Sequence, residues 1–269
     1  MFSGFNAKIK DTDFVEPRFY DYGINLYKGQ KKLIHSSLKE FVISDEMLSE
    51  EDIEGEWFPT LKYDVFLSHS HKDEDVAIEF AGFLYSIFGI TTFIDSCVWN
   101  YSDELLRIID NEYCVNKYRS DGKIDTYSYS KRNNSTAHVH TILNTALQKM
   151  IDRTECIIFL NTPNSVLLDD VINGVSTASP WIYSELLTTR LIRHRKLSEY
   201  REELWTESLI HFDEKDQNEL VVKYNISTDH LTPFTGQDLL WWWKRMNLYN
   251  KHAAKALDDL YKYKGLFDR

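Results

Sequence analysis

Trp181 and Glu185 have the residue types and the spacing to act together on one positively charged ligand. They follow Ser179-Pro180, which is typical of a helix start because serine supplies an N-cap oxygen and proline lacks an N–H. Residues four apart share one face of a helix, so both side chains can contact the same molecule. A carboxylate beside an aromatic ring suits cleavage of an N-glycosidic bond to a cationic base, because the carboxylate stabilises oxocarbenium character while the ring stacks. On spacing alone, a packing tryptophan and a solvated acid are the more common explanation.

A strand–helix–strand unit earlier in the chain is typical of folds that bind ligands beside such a helix. The predicted elements are a buried strand at Tyr63–Ser68, a helix with an apolar stripe from Val76 to Phe88 that ends at Gly89, and a strand at Ile90–Ile94 closing on Asp95. Ser70 and Asp73 are predicted to form a capping box, with Asp in place of Glu. In a parallel unit of this kind, ligand groups gather at the carboxyl ends of the strands.

The rest of the chain is organised around this unit. We predict an N-terminal extension (residues 1–61), a domain core (62–237) with a polar insertion lacking regular structure (96–137), and a helical C-terminal tail (238–269). Further helices are predicted at about Gln30–Val42, over Val139–Met150, from Pro180 to about His194 and around Ala253–Tyr263. Further strands are predicted at Cys156–Leu160 and Leu220–Asn225, with another candidate at Ser208–Phe212. An acidic connector is predicted at Ser44–Glu56 and a loop at Pro163–Ser179.

Composition and missing motifs exclude several classes of function. The chain has 269 residues and a formal net charge of -11, a balance that opposes nucleic-acid binding. It lacks an apolar run of membrane-span length and a signal peptide, and its three scattered cysteines suit reduced thiols, so we expect a cytoplasmic protein without membrane contact. Walker, G-x-G-x-x-G and G-x-S-x-G motifs are absent. The histidine pairs His69/His71 and His138/His140, each taken to lie on one face of a strand, lack further ligands at metal spacing, so no metal site is predicted.

Four blocks, in family order, resemble the Toll/interleukin-1 receptor (TIR) domain. They are Tyr63–Ser70, Thr92–Asp95, Cys156–Leu160 followed by Ser165, and Ser179-x-Trp181-x-x-x-Glu185-Leu186. The first three resemble the opening strand and first box, the second strand with its following Asp, and the third strand with its turn. The fourth resembles the helix that carries the catalytic glutamate in NAD-cleaving members.

The resemblance implies an α/β fold with a flavodoxin-like parallel five-stranded sheet. It also implies cleavage of NAD+ to nicotinamide and either ADP-ribose or a cyclic isomer; NAD+ is then a substrate, and no cofactor is implied. Glu185 matches the catalytic glutamate, Trp181 the aromatic residue one turn before it, and Asp95 an acid that often lines the pocket. Ser68 and His69 fall where residues after the first strand line the nucleotide site.

Stand-alone TIR proteins of this type often serve bacterial antiviral defence. The resemblance thus implies a Thoeris-like protein that signals to a separate effector, and it allows TIR–TIR self-association. One alternative is a non-catalytic TIR scaffold, against which the presence of Glu185 argues. Another is a 2-deoxyribosyltransferase-like enzyme, which the order of the blocks disfavours. We expect the insertion either to cover the pocket as a lid or to pack on the surface against the N-terminal extension.

Overall fold

The structure is a computed structural model that describes residues 1–14, 16–43, 62–169, 174–201, 224–246 and 252–267. Its strands are β1 (Ser3–Lys8), β2 (Val65–Ser68), β3 (Thr92–Ile94), β4 (Val115–Tyr118), β5 (Ile124–Tyr127), β6 (Cys156–Leu160), β7 (Leu167–Asp169), β8 (Gly174–Thr177), β9 (Tyr224–Asn225) and β10 (Thr232–Thr235). Its helices are α1 (Pro17–Ile43), α2 (Glu74–Phe88), α3 (Ser96–Trp99), α4 (Ser102–Tyr113), α5 (Tyr129–Arg153), α6 (Pro180–Leu191), α7 (Ser198–Arg201), α8 (Gly236–Met246) and α9 (Ala253–Tyr263). None of these described helices is both long and apolar enough to cross a membrane. The predicted connector Ser44–Glu56 and the candidate strand Ser208–Phe212 lie outside the described residues.

A five-stranded, all-parallel sheet lies at the centre, with the order β10-β1-β6-β2-β3. This confirms the predicted α/β class with a parallel five-stranded sheet, and it is consistent with the flavodoxin-like architecture. The three strands predicted most directly, β2, β3 and β6, are neighbours, and all their side chains are buried. Their continuous apolar character arises because both faces of a parallel sheet are covered.

The N-terminal segment, predicted as an extension, supplies a strand of this sheet. In β1, Phe5 pairs with Ile158 of β6 on one side and with Thr232 of β10 on the other. The sequence of β1, Ser3–Lys8, has no β-branched residue and includes Gly and Asn, so its strand propensity is low and the prediction missed it. The boundary predicted at residue 61 therefore does not separate two structural units.

The C-terminal tail is also part of the core. Helix α9 has the predicted bounds, and α8 contributes the fully buried Trp242. Trp242 Nε1 donates to the Ala256 carbonyl at 2.9 Å, and the Trp242 ring stacks on Phe88 at 4.0 Å between centroids. Trp242 thus packs the C-terminal tail against α2, the helix of the predicted strand–helix–strand unit.

Two segments after β6 differ from the predictions. The predicted loop Pro163–Ser179 contains β7 and β8, which form a small antiparallel sheet with β9. Tyr224–Asn225, the described end of the predicted strand Leu220–Asn225, therefore lies outside the central sheet. The fifth central strand is β10, which was not predicted because it contains Pro233; an edge strand tolerates this proline.

Helices α1 and α2 cross at two glycines. A Cβ placed at Gly23 would lie 1.9 Å from the Ile78 carbonyl oxygen, and one at Gly82 would lie 1.8 Å from the Phe19 carbonyl oxygen. Only glycine allows two helix backbones to approach this closely. Helix α1, which begins well before the predicted Gln30, is thereby held against α2.

The start of α2 differs from its prediction, whereas its end agrees. Gly89 adopts the left-handed conformation (φ 72°) and terminates the helix as expected. The predicted capping box is absent, since Ser70 makes no side-chain capping bond. Asp73 instead accepts hydrogen bonds from Thr162 Oγ1 at 2.5 Å and Asn164 Nδ2 at 2.6 Å, which ties α2 to the loop after β6.

The insertion has regular structure, contrary to the prediction. Residues 96–137 form α3, α4, the β4–β5 hairpin and the first turns of α5. Helix α4 was missed, although Leu105 belongs to the core and Leu106, Ile108 and Ile109 pack against it. The start of the insertion packs against α1, where Ser96 Oγ and Asn100 Nδ2 each lie 3.3 Å from the Tyr27 hydroxyl.

Candidate active site

The carboxyl ends of β2 and β3 bring three of the predicted site residues together. Ser68 ends β2, His69 follows it, and Asp95 follows β3. Because the two strands are parallel and adjacent, these residues lie at one edge of the sheet. The His69 backbone N–H donates to Asp95 Oδ2 at 3.2 Å, and the ring Nδ1 lies 2.5 Å from Asp95 Oδ1.

The fourth residue comes from α6. The predicted helix start is confirmed: Pro180 is the first residue, and Ser179 Oγ accepts the Ile182 N–H at 3.3 Å. Within the second turn, Glu185 reaches the end of β2, where Ser68 Oγ donates to its Oε2 at 2.6 Å. All four residues are buried, with no more than 1% of their surface exposed. We call this set the acid–histidine cluster: Ser68, His69, Asp95 and Glu185.

Burial and mutual contact change the ionisation of the cluster. Burial raises the pKa of Glu185 well above its usual value, the nearby Asp95 raises it further, and the hydrogen bond from Ser68 opposes the rise. For His69, burial has the largest single effect and lowers the pKa, but the charge and hydrogen bond of Asp95 and the charges of Glu74 and Asp73 together leave the pKa raised. The surroundings therefore favour the protonated form of Glu185 and the charged form of His69.

Four buried atoms of the cluster make no hydrogen bond among the described residues: His69 Nδ1, His69 Nε2, Asp95 Oδ1 and Glu185 Oε1. His69 Nδ1 and Asp95 Oδ1 contact each other as an ion pair, so the exceptions that remain are Glu185 Oε1 and His69 Nε2. Buried polar atoms are normally bonded, and exceptions of this kind occur at catalytic and ligand sites. Here both exceptions belong to groups whose pKa is perturbed, at the sheet edge where α/β proteins bind ligands.

One aromatic ring, that of Trp99, borders the cluster, and the ring contact of Trp181 is with a residue outside it. Trp99, one helical turn after Asp95, lies 5.8 Å from the His69 ring and 5.3 Å from the His71 ring, measured between centroids. The sequence offered only a weak indication that Trp99 belongs to the site. Trp99 is four residues after Asp95, but this spacing places the two close together only if the segment is helical, and α3 was not predicted. Trp181 is half-buried at the start of α6, with its ring 5.7 Å from that of His140.

Comparison with known proteins assigns no function to this site. No protein-family model matches the chain, and neither the curated proteins nor the solved structures include a match. What the cluster does must therefore be inferred from its own chemistry.

The two histidine pairs do not lie on strand faces as the sequence analysis assumed. His71 is in a short 3-10 helix after β2, while His138 and His140 are exposed on α5. No group of three or more His, Cys, Asp or Glu side chains that could hold a metal ion occurs in the described part of the chain. The pairs are therefore separate side chains with different surroundings, and only His69 belongs to the cluster.

When Glu185 is ionised, the cluster can stabilise positive charge that develops on a bound molecule. Its two carboxyl groups lie within one buried site, which strengthens their electrostatic effect relative to water. Ser68 fixes the direction of the Glu185 carboxyl group by donating to Oε2, while Oε1 is buried without a hydrogen bond among the described residues. Asp95 contacts His69 and also raises the Glu185 pKa, so the ionisation of one acid depends on the other, and Glu185 is the acid that does not pair with the histidine.

Proposed function

We propose that this protein is a TIR-type enzyme that cleaves the bond between nicotinamide and ribose in NAD+, producing ADP-ribose or a cyclic isomer. The observation that carries the proposal is the contact between Ser68 and Glu185 at the sheet edge, beside Asp95 and His69. Sequence resemblance selected these four residues from separate parts of the chain. Their common position supports that assignment, because residues taken at random from separate parts of the chain would not be expected to converge.

The chemistry needs little from the protein besides charge and position. When the C1′–N bond of NAD+ breaks, its electron pair leaves with nicotinamide, which departs as a neutral base without a general acid. The ribose carbon gains oxocarbenium character, which the ionised Glu185 stabilises. Water then attacks C1′ and releases a proton, giving ADP-ribose, or a nucleophilic atom of the same molecule attacks and gives a cyclic isomer.

The protonation state of Glu185 is compatible with this role. A positively charged pyridinium ring beside Glu185 favours the ionised carboxylate, opposing the effects of burial and Asp95. Substrate binding thus lowers the Glu185 pKa and creates the charge where it is needed. Trp99 and Trp181 offer ring surfaces for stacking, and exclusion of bulk water from the cluster favours intramolecular capture over hydrolysis.

The cellular part of the proposal follows the same resemblance. We propose a role in bacterial anti-phage defence, in which the product signals to a separate effector protein and TIR–TIR self-association assists activity. The non-catalytic scaffold is the alternative, and it requires the same fold without NAD+ turnover.

The test is incubation of the purified protein with NAD+, at low and high protein concentration to allow self-association. Chromatography measures nicotinamide release, and mass spectrometry separates ADP-ribose from cyclic isomers. We expect nicotinamide and one ADP-ribose-type product in equal amounts. A folded protein that releases no nicotinamide at either concentration would reject the enzyme and leave the scaffold.

A further inference from the structure

Gln30 of helix α1 is hydrogen-bonded to the edge strand of the central sheet. Its Nε2 donates to the Thr92 carbonyl at 2.5 Å, and its Oε1 accepts the Ile94 N–H at 3.2 Å. The backbone N–H of the next residue, Asp95, points to the opposite side of the strand, where it donates to the Leu67 carbonyl of β2 at 3.3 Å. Gln30 therefore occupies the outer side of β3, where a further strand would otherwise pair.

Tyr27, one turn before Gln30, holds the residues that follow Asp95. Its hydroxyl donates to Glu74 Oε1 and lies 3.3 Å from both Ser96 Oγ and Asn100 Nδ2. Asn100 Nδ2 also donates to Glu74 Oε1 at 2.8 Å. The contacts join three elements, α1, α2 and the α3 region, around the turn that carries Asp95.

We propose that Tyr27 and Gln30 are positioning residues, which fix Asp95 and thereby set the contact between Asp95 and His69 in the acid–histidine cluster. Gln30 holds the residue before Asp95, and Tyr27 holds the residue after it. Both side chains are nearly buried, and Gln30 uses both ends of its amide. Helix α1, for which the sequence predicted no functional role, would then be required for the geometry of the site.

A purely structural role is the competing explanation. Helix α1 is already held against α2 by the glycine crossing at Gly23 and Gly82, so the polar contacts are not needed merely to keep the helix in place. Asp95 has backbone bonds to β2 but makes its side-chain contact with a loop residue, His69. A small displacement of Asp95 would therefore disturb the cluster before it disturbed the sheet.

The test compares Gln30→Leu and Tyr27→Phe with Tyr20→Phe as the matched control. Tyr20 is also on α1, and its hydroxyl also donates to an acid at the start of α2, Asp75 Oδ1 at 3.1 Å. Unlike the contacts of Tyr27, this contact is exposed. Gln30→Leu removes both amide bonds while keeping the volume similar, and Tyr27→Phe removes one hydroxyl.

Two readouts do not depend on enzyme activity. Amide hydrogen exchange at Ile94 should become about tenfold faster or more in Gln30→Leu, because its acceptor is lost. The NMR signals of the His69 ring should shift in both variants, since the Asp95 carboxylate moves. Tyr20→Phe should leave both measurements unchanged.

The third readout rests on the proposed function. We expect kcat for nicotinamide release to fall at least about tenfold in both variants, with KM changed less than about threefold, because small misplacements of a reacting geometry are costly. If wild-type protein cleaves no NAD+, the proposed function fails, and the exchange and NMR results still decide the positioning role. The positioning role would be overturned if the His69 signals and the Ile94 exchange stayed unchanged. It would also be overturned if kcat stayed normal although both of these measurements changed.

Discussion

Glu185→Gln separates the charge of Glu185 from its shape. Glutamine has nearly the same volume, and its amide oxygen can accept the hydrogen bond that Ser68 Oγ now donates at 2.6 Å. The variant resembles protonated Glu185, the form that burial and Asp95 favour in the protein without substrate. Near pH 4.5 we therefore expect the free energy of unfolding to change by no more than about 1 kcal/mol, the net value of one neutral hydrogen bond.

The two proteins should diverge as the pH rises. Folding raises the pKa of Glu185 well above its ordinary value of 4.5, so the folded protein binds this proton more tightly than the unfolded chain does. Wild-type protein then loses stability from about pH 4.5 upward until the pH passes the folded-state pKa, at up to about 1.4 kcal/mol per pH unit. Glu185→Gln cannot lose this proton, so its stability relative to wild type should increase across the same range.

Activity should change in the opposite direction. Removing a charge aimed at the developing cation costs about 2.7–4 kcal/mol of transition-state stabilisation, which corresponds to a loss of roughly 10²–10³ in kcat. Denaturant unfolding at several pH values and nicotinamide release measure the two effects, with Glu104→Gln, an exposed acid on α4, as control. Near-normal turnover in folded Glu185→Gln would refute the catalytic role. A stability difference that did not change with pH would refute the inferred protonation state.

Two further substitutions test the stacking surface and the helix crossing. We expect Trp181→Ala to lower nicotinamide release more than Trp181→Phe does, because stacking contributes about 0.5–1.5 kcal/mol beyond buried area; equal losses with equal loss of thermal stability would mean that Trp181 only packs. Gly82→Ala would place its Cβ 1.8 Å from the Phe19 carbonyl oxygen, so we expect a loss of about 3 kcal/mol in denaturant unfolding, despite a helix-propensity gain of about 1 kcal/mol. Unchanged or increased stability would show that α1 and α2 can separate freely.

The elements that carry the site could be predicted because their signals are local. Strand Cys156–Leu160 is a continuous apolar run, and its bounds agree with the prediction. The start of α6 has a capping serine and a proline, which act within one turn of the chain. The rule that ligand groups gather at strand carboxyl ends agrees with the positions of Ser68 and Asp95, whereas their association with Glu185 rested on the TIR resemblance.

The elements that were missed depend on contacts distant in sequence. Strand β1 is stabilised by pairing with β6 and β10, and neither its composition nor its periodicity indicates this. Gln30 fits an ordinary amphipathic helix in the sequence, yet its amide bonds a strand more than sixty residues away. A one-dimensional pattern contains no information on such pairings, since many polar helix residues could make them.

The position of β1 explains why the predicted domain boundary at residue 61 is physically unsuitable. Without residues 1–61, the backbone of β6 would lose its partner on one side, and β10 would have no neighbour at all. The backbone groups of β6 that pair with β1 would be left without hydrogen bonds, which is costly for a buried strand. The same truncation would remove Tyr27 and Gln30 from the outer side of β3. The N-terminal segment thus completes the sheet at β1 and supports its edge at β3, the strand that Asp95 of the acid–histidine cluster follows.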